Sequence, residues 1–155
     1  MITKEPYLID SHEHLQFDIF NKDREEVIAR MKEKNIWGVN IGTNFAFSLK
    51  AIELAQKYDF LFATIGLHPI HLFESEFIDQ SEGETQPEIF LEEKFAPLAK
   101  EEKVVGIGEC GLDYFHNNKE EEKEKQRENF KKQIEFAKEF NKPLVLHLRS
   151  QNDFD

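Results

Sequence analysis

Cysteine is nearly absent from this chain of 155 residues, which contains only Cys110. A single thiol cannot form a disulfide within the chain, so the sequence fits a reducing compartment and Cys110 is predicted to be a small packing residue. The N-terminal residues lack the apolar core of a signal peptide, and no apolar run approaches the roughly 18 residues that a membrane span needs. We therefore expect a cytoplasmic protein that does not partner with a membrane.

Positive charge is also scarce, with 20 Lys and Arg residues against 31 Asp and Glu residues and a net charge of −11. A surface of this sign repels phosphate backbones, so nucleic-acid binding by a broad basic face is not expected. A nucleic-acid substrate stays open, because bound divalent cations invert the local sign of a site. The sequence also lacks a nucleophile elbow, a Gly-x-Gly-x-x-Gly phosphate loop and zinc-finger cysteine spacing.

Short apolar runs alternate with amphipathic segments along the chain. The pattern predicts strands at 7–9, 37–41, 60–67, 103–108 and 144–146. It predicts helices at 21–34, 48–58, 88–100 and 120–141, the third bent near Pro97. The last helix carries Phe130, Ile134 and Ala137 on one stripe, and the polar stretch 69–86 is predicted to be an exposed loop.

Strands that alternate with helices imply parallel pairing and right-handed crossovers. We interpret the chain as α/β, a partial TIM (β/α)8-type barrel with about the first five parallel strands and four intervening helices. A complete barrel typically has about 250 residues, so residues 1–155 are expected to form a single incomplete domain, the N-terminal part of a barrel. A complete open sheet of five strands is the alternative. Either sheet has two open edges, which invite association.

Candidate metal ligands recur at the predicted carboxyl ends of the strands, where α/β barrels build their active sites. His12 and His14 follow the first strand two residues apart, so their side chains point the same way and can reach one cation. Glu109 follows the fourth strand, and His147 ends the fifth. Neighbouring strand ends lie about 5 Å apart, which favours ligation by both residues. This recurrence predicts a metal-dependent hydrolase.

Five further polar residues have weaker assignments. His68 follows the third strand and could hydrogen-bond to substrate or to a metal-bound water. Asp113 could orient a ligand from behind or simply cap the next turn. Arg149 could bind an anionic substrate group, with a solvated arginine as the alternative. No ligand role is expected for His71, and the sequence indicates no partner for His116.

Four blocks of sequence occur in a characteristic order. They read I-D-S-H-E-H-L at 9–15, I-G-L-H-P at 65–69, G-I-G-E-C-G-L-D-Y at 106–114 and N-K-P-L-V-L-H-L-R at 141–149. Together they resemble the TatD-related metal-dependent deoxyribonucleases of the amidohydrolase-like barrel superfamily. The resemblance spans essentially the whole chain but only about the first five strands of that fold.

The resemblance implies that His12 and His14 bind one metal ion, that Glu109 bridges two and serves catalysis, and that His147 binds the other. The implied cofactors are two divalent ions (Mg²⁺, Mn²⁺ or Zn²⁺), and the implied activity is hydrolysis of DNA phosphodiester bonds. The family's remaining ligands, a histidine after strand six and an aspartate after strand eight, have no counterpart in this chain. We therefore expect fewer tightly bound ions, and weak or absent activity unless self-association or a complementing C-terminal polypeptide supplies the other strands.

The sequence departs from the family pattern at three places. Glu13 stands where a cysteine is common, the order at 68–71 is His-Pro-Ile-His in place of His-Pro-His, and Ser-Gln at 150–151 replaces a usual Asp-Ala. Two other interpretations stay open. One is a non-catalytic half-barrel remnant that self-associates, and the other is a related barrel hydrolase acting on a small molecule or an ester.

Overall fold

Five strands of one parallel sheet form the inner layer of the structure, a computed structural model that describes residues 5–74, 82 and 86–150. The strands are β1 (Leu8–Glu13), β2 (Ile36–Asn40), β3 (Leu61–Ile65), β4 (Val104–Asp113) and β5 (Leu144–Arg149). Each strand pairs in parallel with the next, in the order β1-β2-β3-β4-β5. Sheet order therefore follows chain order, as in a barrel that is wound one strand at a time.

Helices connect consecutive strands. Within the described residues they are α1 (Arg24–Glu33), α2 (Phe45–Lys57), α3 (Glu92–Ala99) and α4 (Glu120–Glu139), with short 3₁₀ turns at Asp18–Lys22 and Pro69–Leu72. Asn44 begins α2, because its side chain accepts a hydrogen bond of 2.8 Å from the main-chain N–H of Phe47. The predicted half-barrel of five parallel strands with four intervening helices is confirmed.

The hydrophobic core lies between the central strands and the helices. Leu61, Ala63 and Ile65 of β3 are completely buried. They belong to one apolar cluster with Ala51 of α2 and Phe95 of α3. Burial of apolar surface from both layers stabilises the sheet at its centre and fixes the strand ends that carry the polar residues.

The two outer strands are much less covered than the central ones. Ile9 of β1 is 52% exposed, and Leu148 of β5 is 65% exposed. In the part of the chain that the structure describes, each of these strands has a neighbour on one side only. The sheet therefore presents two open edges and exposed apolar side chains at both.

Three strands continue beyond their predicted carboxyl ends, whereas the bounds of β2 and β3 differ from the prediction by one or two residues at each end. β1 continues through His12 to Glu13, β4 continues to Asp113, and β5 continues to Arg149. The apolar pattern of β4 ends at Ile107, but its pairing with β5 resumes from Cys110 to Asp113 after an irregularity in register. Gly111 permits this approach, since its φ is +144° and an added Cβ would lie 2.0 Å from the carbonyl oxygen of His147.

The predicted loop at 69–86 is wrong for its first residues. Pro69–Leu72 form a 3₁₀ turn whose residues are all buried. The turn is apolar apart from His71, so its burial follows the hydrophobic effect despite the polar residues that come after it. Residues 75–81 and 83–85 lie outside the described residues.

The buried face of α4 is largely polar, which corrects the predicted stripe. Ala137 is buried as expected, but Phe130 and Ile134 are only partly buried. The residues buried on this helix are Gln126, Asn129, Gln133, Phe136 and Ala137. Gln133 explains why an amide is buried here: its Oε1 accepts from the N–H of Leu67 and its Nε2 donates to the carbonyl of Leu67, both at 2.9 Å. The helix thus docks by side-chain pairing with loop backbone as well as by apolar contact.

Candidate metal centre

His12, His14 and Glu109 form the first group of candidate ligands, with one ligand atom from each lying within 4.8 Å of the others. His12 Nε2 lies 3.4 Å from Glu109 Oε2. The main-chain N–H of His12 donates to Asp10 Oδ1 at 3.1 Å, which ties the end of β1 in place. The two imidazole rings converge on the same carboxylate, as their spacing on an extended segment predicted.

His68, Glu109 and His147 form the second group, which meets the same distance limit of 4.8 Å. His147 Nδ1 lies 3.4 Å from Glu109 Oε1, and the ring centroids of His68 and His147 are 4.1 Å apart. Glu109 therefore presents one oxygen to each group. His68 was predicted to bind substrate, whereas the structure places its ring among the candidate ligands.

The backbone around Glu109 is held by the segment just after β2 and by β3. The N–H of Glu109 donates to the carbonyl of Gly42 at 2.6 Å, just beyond β2. Thr64 Oγ1 of β3 donates to the carbonyl of Gly108 at 2.6 Å, and the peptide bond between Gly108 and Glu109 is cis. Gly66 allows close approach here, because an added Cβ would lie 2.7 Å from the Cα of Gly108. These contacts fix where the Glu109 side chain leaves the sheet.

Asp113 supports His147 from the side opposite Glu109. Asp113 Oδ2 lies 3.1 Å from His147 Nε2 and 2.7 Å from His116 Nδ1. Asp113 Oδ1 accepts from the main-chain N–H groups of Phe115 and His116. A carboxylate against the second nitrogen of a ligand histidine sets the orientation of the ring. The sequence indicated no partner for His116. Its pairing with Asp113 becomes visible only in the folded turn.

His14 also contacts Ile41 and Phe17, outside the group of candidate ligands. Its Nδ1 lies 3.0 Å from the carbonyl oxygen of Ile41, and its ring stacks on Phe17 with centroids 4.5 Å apart. Burial lowers the pKa of His14 and outweighs the opposing contact with Ile41. A neutral imidazole with one nitrogen engaged by a carbonyl is the form in which histidine binds metals.

The electrostatics of the site favour an ionised carboxylate among the imidazoles. Burial raises the pKa of Glu109, but the contacts with His12 and His147 outweigh it and hold that pKa well below its usual range. Burial lowers the pKa of His147, but hydrogen bonds to Asp113 and Glu109 outweigh it and raise that pKa to about 9. Burial lowers the pKa of His68 to about 3. At neutral pH these contacts keep Glu109 anionic and His147 protonated, and burial leaves His68 neutral.

His71 and Cys110 lie next to these groups without joining them. His71, expected in an exposed loop, is 0% exposed, and its Nε2 lies 2.8 Å from Glu82 Oε2. The same Glu82 oxygen accepts from Thr43 Oγ1 at 3.2 Å. Cys110 is buried, and burial raises its pKa to about 12. Its thiol is therefore a packing group, as predicted, and a poor nucleophile.

Arg149 lies at the rim of the same cluster. It is the register partner of Asp113 across the β4–β5 pair, and its guanidinium carbon lies 4.1 Å from the centroid of the Phe115 ring. Both side chains are exposed. An arginine held over an aromatic face keeps its outer N–H donors available to an anion.

The donor set fits a divalent cation. Imidazole nitrogens suit zinc and other transition metals, and a carboxylate extends the range toward manganese and magnesium. The structure brings together every ligand predicted from the sequence (His12, His14, Glu109 and His147) and adds His68 to them. These groups support use of divalent metal by the chain.

Comparison with known proteins relates the chain to one family. Residues 9–154 match the family model described as TatD related DNase. The chain is 37% identical over 147 residues to the metal-dependent hydrolase YabD of Bacillus subtilis, a match that covers 94% of this chain and 52% of the relative. It is 34% identical over 135 residues to the 3′-5′ ssDNA/RNA exonuclease TatD of Shigella flexneri, covering 86% of this chain and 46% of that protein.

A solved structure gives the same result for the fold. The TatD homolog YjjV of Escherichia coli superposes with a TM-score of 0.70 at 27% identity, covering 92% of this chain and 51% of that chain. The site and fold together define a half-barrel that carries a candidate centre for divalent metal at the carboxyl ends of its strands. More particularly, the chain belongs to the TatD-related DNase family, and it spans about half the length of the relatives that it matches.

No helix among the described residues is both long enough and apolar enough to cross a membrane.

Proposed function

We propose that the chain carries the first half of a two-metal nuclease site that hydrolyses phosphodiester bonds of DNA. The observation that carries the proposal is the position of Glu109, whose two oxygens face His12 and His147 at 3.4 Å each. A carboxylate shared by two ligand groups is suited to bridge two cations. The Shigella relative's name, a 3′-5′ ssDNA/RNA exonuclease, supports a nucleic-acid substrate.

Each residue of the site has a part in this proposal. His12 and His14 would bind one cation with Glu109, and His147 would bind the other with Glu109, beside His68. When bound, divalent cations polarise a phosphoryl oxygen and lower the pKa of a water at that position. Burial raises the pKa of Glu109, but the contacts with His12 and His147 outweigh burial and hold that pKa well below its usual range. Glu109 therefore stays anionic.

Substrate contacts would come from the rim. Arg149 is exposed above Phe115 and would bind an oxygen of the phosphate backbone. His68 has a pKa lowered to about 3 by burial, so it stays neutral and can exchange a hydrogen bond with substrate or with water. Asp113 would keep the His147 ring oriented throughout.

The proposal also concerns what completes the site. The chain spans about half of its relatives, and β1 and β5 have open edges within the described residues. We propose that it acts as the N-terminal part of a barrel, completed by a C-terminal polypeptide or by a second copy. Alone, it would hold fewer ions tightly and turn over substrate weakly. The cytoplasmic location expected from the single cysteine belongs to the same proposal.

The exposed apolar side chains at both edges favour one alternative, a self-associating half-barrel without turnover. A nuclease assay separates the two. Residues 1–155 are incubated with single- and double-stranded DNA and Mn²⁺ or Mg²⁺, beside Glu109→Ala and beside Glu128→Ala, which removes an exposed acid of α4. Cleavage that Glu109→Ala abolishes and Glu128→Ala preserves supports the nuclease.

Cleavage that Glu109→Ala leaves intact overturns the assignment of the site. Soluble protein without cleavage, alone and after addition of the C-terminal half of a relative such as YabD, overturns the nuclease and leaves the self-associating module.

A further inference from the structure

His116 is joined to His147 through one carboxylate. The ring Nδ1 of His116 lies 2.7 Å from Asp113 Oδ2, and its main-chain N–H donates to Asp113 Oδ1 at 3.0 Å. The same Oδ2 atom lies 3.1 Å from His147 Nε2. One carboxylate oxygen is therefore shared by two imidazole rings, and the second of these rings also faces Glu109.

The two Asp113 oxygens are held by different donors. Oδ1 accepts from the main-chain N–H groups of Phe115 and His116, at 3.2 Å and 3.0 Å. Oδ2 faces the His116 and His147 rings. Asp113 is 1% exposed, so solvent has little access to replace a lost contact. Removing only the His116 ring would leave Oδ1 anchored, but Oδ2, the oxygen that orients His147, would be faced by one ring in place of two.

Orientation matters because the two nitrogens of His147 have different neighbours. Nε2 faces Asp113 at 3.1 Å and Nδ1 faces Glu109 at 3.4 Å. If Asp113 Oδ2 moves, the His147 ring can turn about its side-chain bonds and take Nδ1 away from Glu109. Outer contacts of this kind typically change metal affinity by about 10- to 100-fold.

We propose that His116 is a positioning residue of the candidate metal centre, which holds Asp113 in the orientation that presents His147 Nδ1 beside Glu109. This inference rests on the proposed function only in assuming that the site binds a cation. The contacts among His116, Asp113 and His147 do not depend on it. His116 touches no reacting group in the proposal and acts through Asp113 and His147.

The test uses two substitutions in residues 1–155. His116→Phe keeps an aromatic ring against Phe115 but removes the ring nitrogens, and His116→Asn restores an N–H donor close to the position of Nδ1. Asn118→Ala, at an exposed neighbour, is the control. Zn²⁺ binding is measured by competition with a chromophoric chelator, and the His147 ring is observed by ¹⁵N NMR in chelator-treated protein.

We expect His116→Phe to weaken one of the Zn²⁺ constants about 10-fold and to shift or broaden the His147 ring signals. His116→Asn recovers most of both, and Asn118→Ala changes neither. Wild-type Zn²⁺ affinity and unchanged His147 signals in a folded His116→Phe protein overturn the inference. A loss in every Zn²⁺ constant together, or no recovery in His116→Asn, also overturns it, since general destabilisation gives that pattern.

The proposed function can fail separately. If the wild-type chain binds no Zn²⁺, the metal centre is lost as an assignment, and the NMR comparison alone decides whether His116 orients His147. If His116→Phe does not fold, His116→Ala takes its place with the same two measurements.

Discussion

His147 Nδ1 lies 3.4 Å from Glu109 Oε1. This contact joins the last described strand to the preceding one at the candidate metal centre, and it couples the charges of the two residues. Burial lowers the pKa of His147, but the hydrogen bonds to Asp113 and Glu109 raise it to about 9.

Replacing Glu109 by Gln should lower the pKa of His147. The substitution removes one of the two anions that hold the imidazolium, so the pKa should fall from about 9 toward the ordinary value of 6.5. The pKa of His12 should fall as well, because Glu109 is the main group that raises it. NMR titration of the histidine ring protons in chelator-treated protein measures both. A His147 pKa that does not move in Glu109→Gln would contradict the described contact, and Glu128→Gln serves as the control.

Ionisation of Glu13 should destabilise the fold as the pH rises from 4.5 to 7. Burial and then the charge of Asp10 raise its pKa from 4.5 to about 7, against an opposing hydrogen bond from Asn40. A carboxyl with a raised folded-state pKa binds protons more tightly in the folded chain, so stability falls as the pH rises from 4.5 to 7. After allowance for solvent screening at this partly exposed residue, Glu13→Gln should gain on the order of 2 kcal/mol at pH 8.

The same variant should match the wild type near pH 4, where Glu13 is protonated in both folded and unfolded chains. Urea unfolding at the two pH values, with chelator present, gives the comparison. An equal gain in stability at both pH values would mean that the cause is packing and not ionisation. Glu13 packs tightly over Gly38, since a Cβ added there would lie 2.1 Å from Glu13 Oε1.

Replacing Gln133 by Leu should destabilise the fold more than the same replacement at its exposed neighbour Lys132. The substitution leaves the N–H and the carbonyl of buried Leu67 without the pair of 2.9 Å hydrogen bonds that Gln133 supplies. Two unsatisfied buried backbone groups cost about 2–6 kcal/mol. Lys132→Leu, one residue earlier and exposed, is the matched control. Similar unfolding free energies for the two variants would show that the amide–backbone pairing contributes little.

Local signals in the sequence were sufficient for the strand order and for the candidate ligands that the structure brings together. Apolar runs between amphipathic helices predicted five parallel strands, and polar residues after those runs predicted His12, His14, Glu109 and His147. These predictions depend on the spacing of apolar side chains, which repeat every two residues in a strand and about every four in a helix. They also depend on the fact that parallel strands end at a common edge of the sheet.

Contacts between distant residues were beyond such reasoning. Gln133 is buried because it pairs with Leu67, 66 residues away in the chain. His71 is buried because its apolar turn packs into the core and its ring faces Glu82, although polar residues follow it in the chain. β4 runs past its apolar residues to Asp113 because β5 continues to pair with it. In each case tertiary contact overrides the local pattern.

The central claim is that one carboxylate, Glu109, serves both ligand groups, and metal binding tests it most directly. Zn²⁺ and Mn²⁺ affinities of residues 1–155 are measured by chelator competition for the wild type, Glu109→Gln and the control Glu128→Gln. We predict that the wild type and the control bind with equal affinity and that Glu109→Gln binds about 100-fold more weakly or worse. Loss of an outer-shell partner typically weakens metal binding by about 10- to 100-fold, and loss of a ligand should cost at least as much. Equal affinity in all three proteins, or no binding by the wild type, would contradict the account.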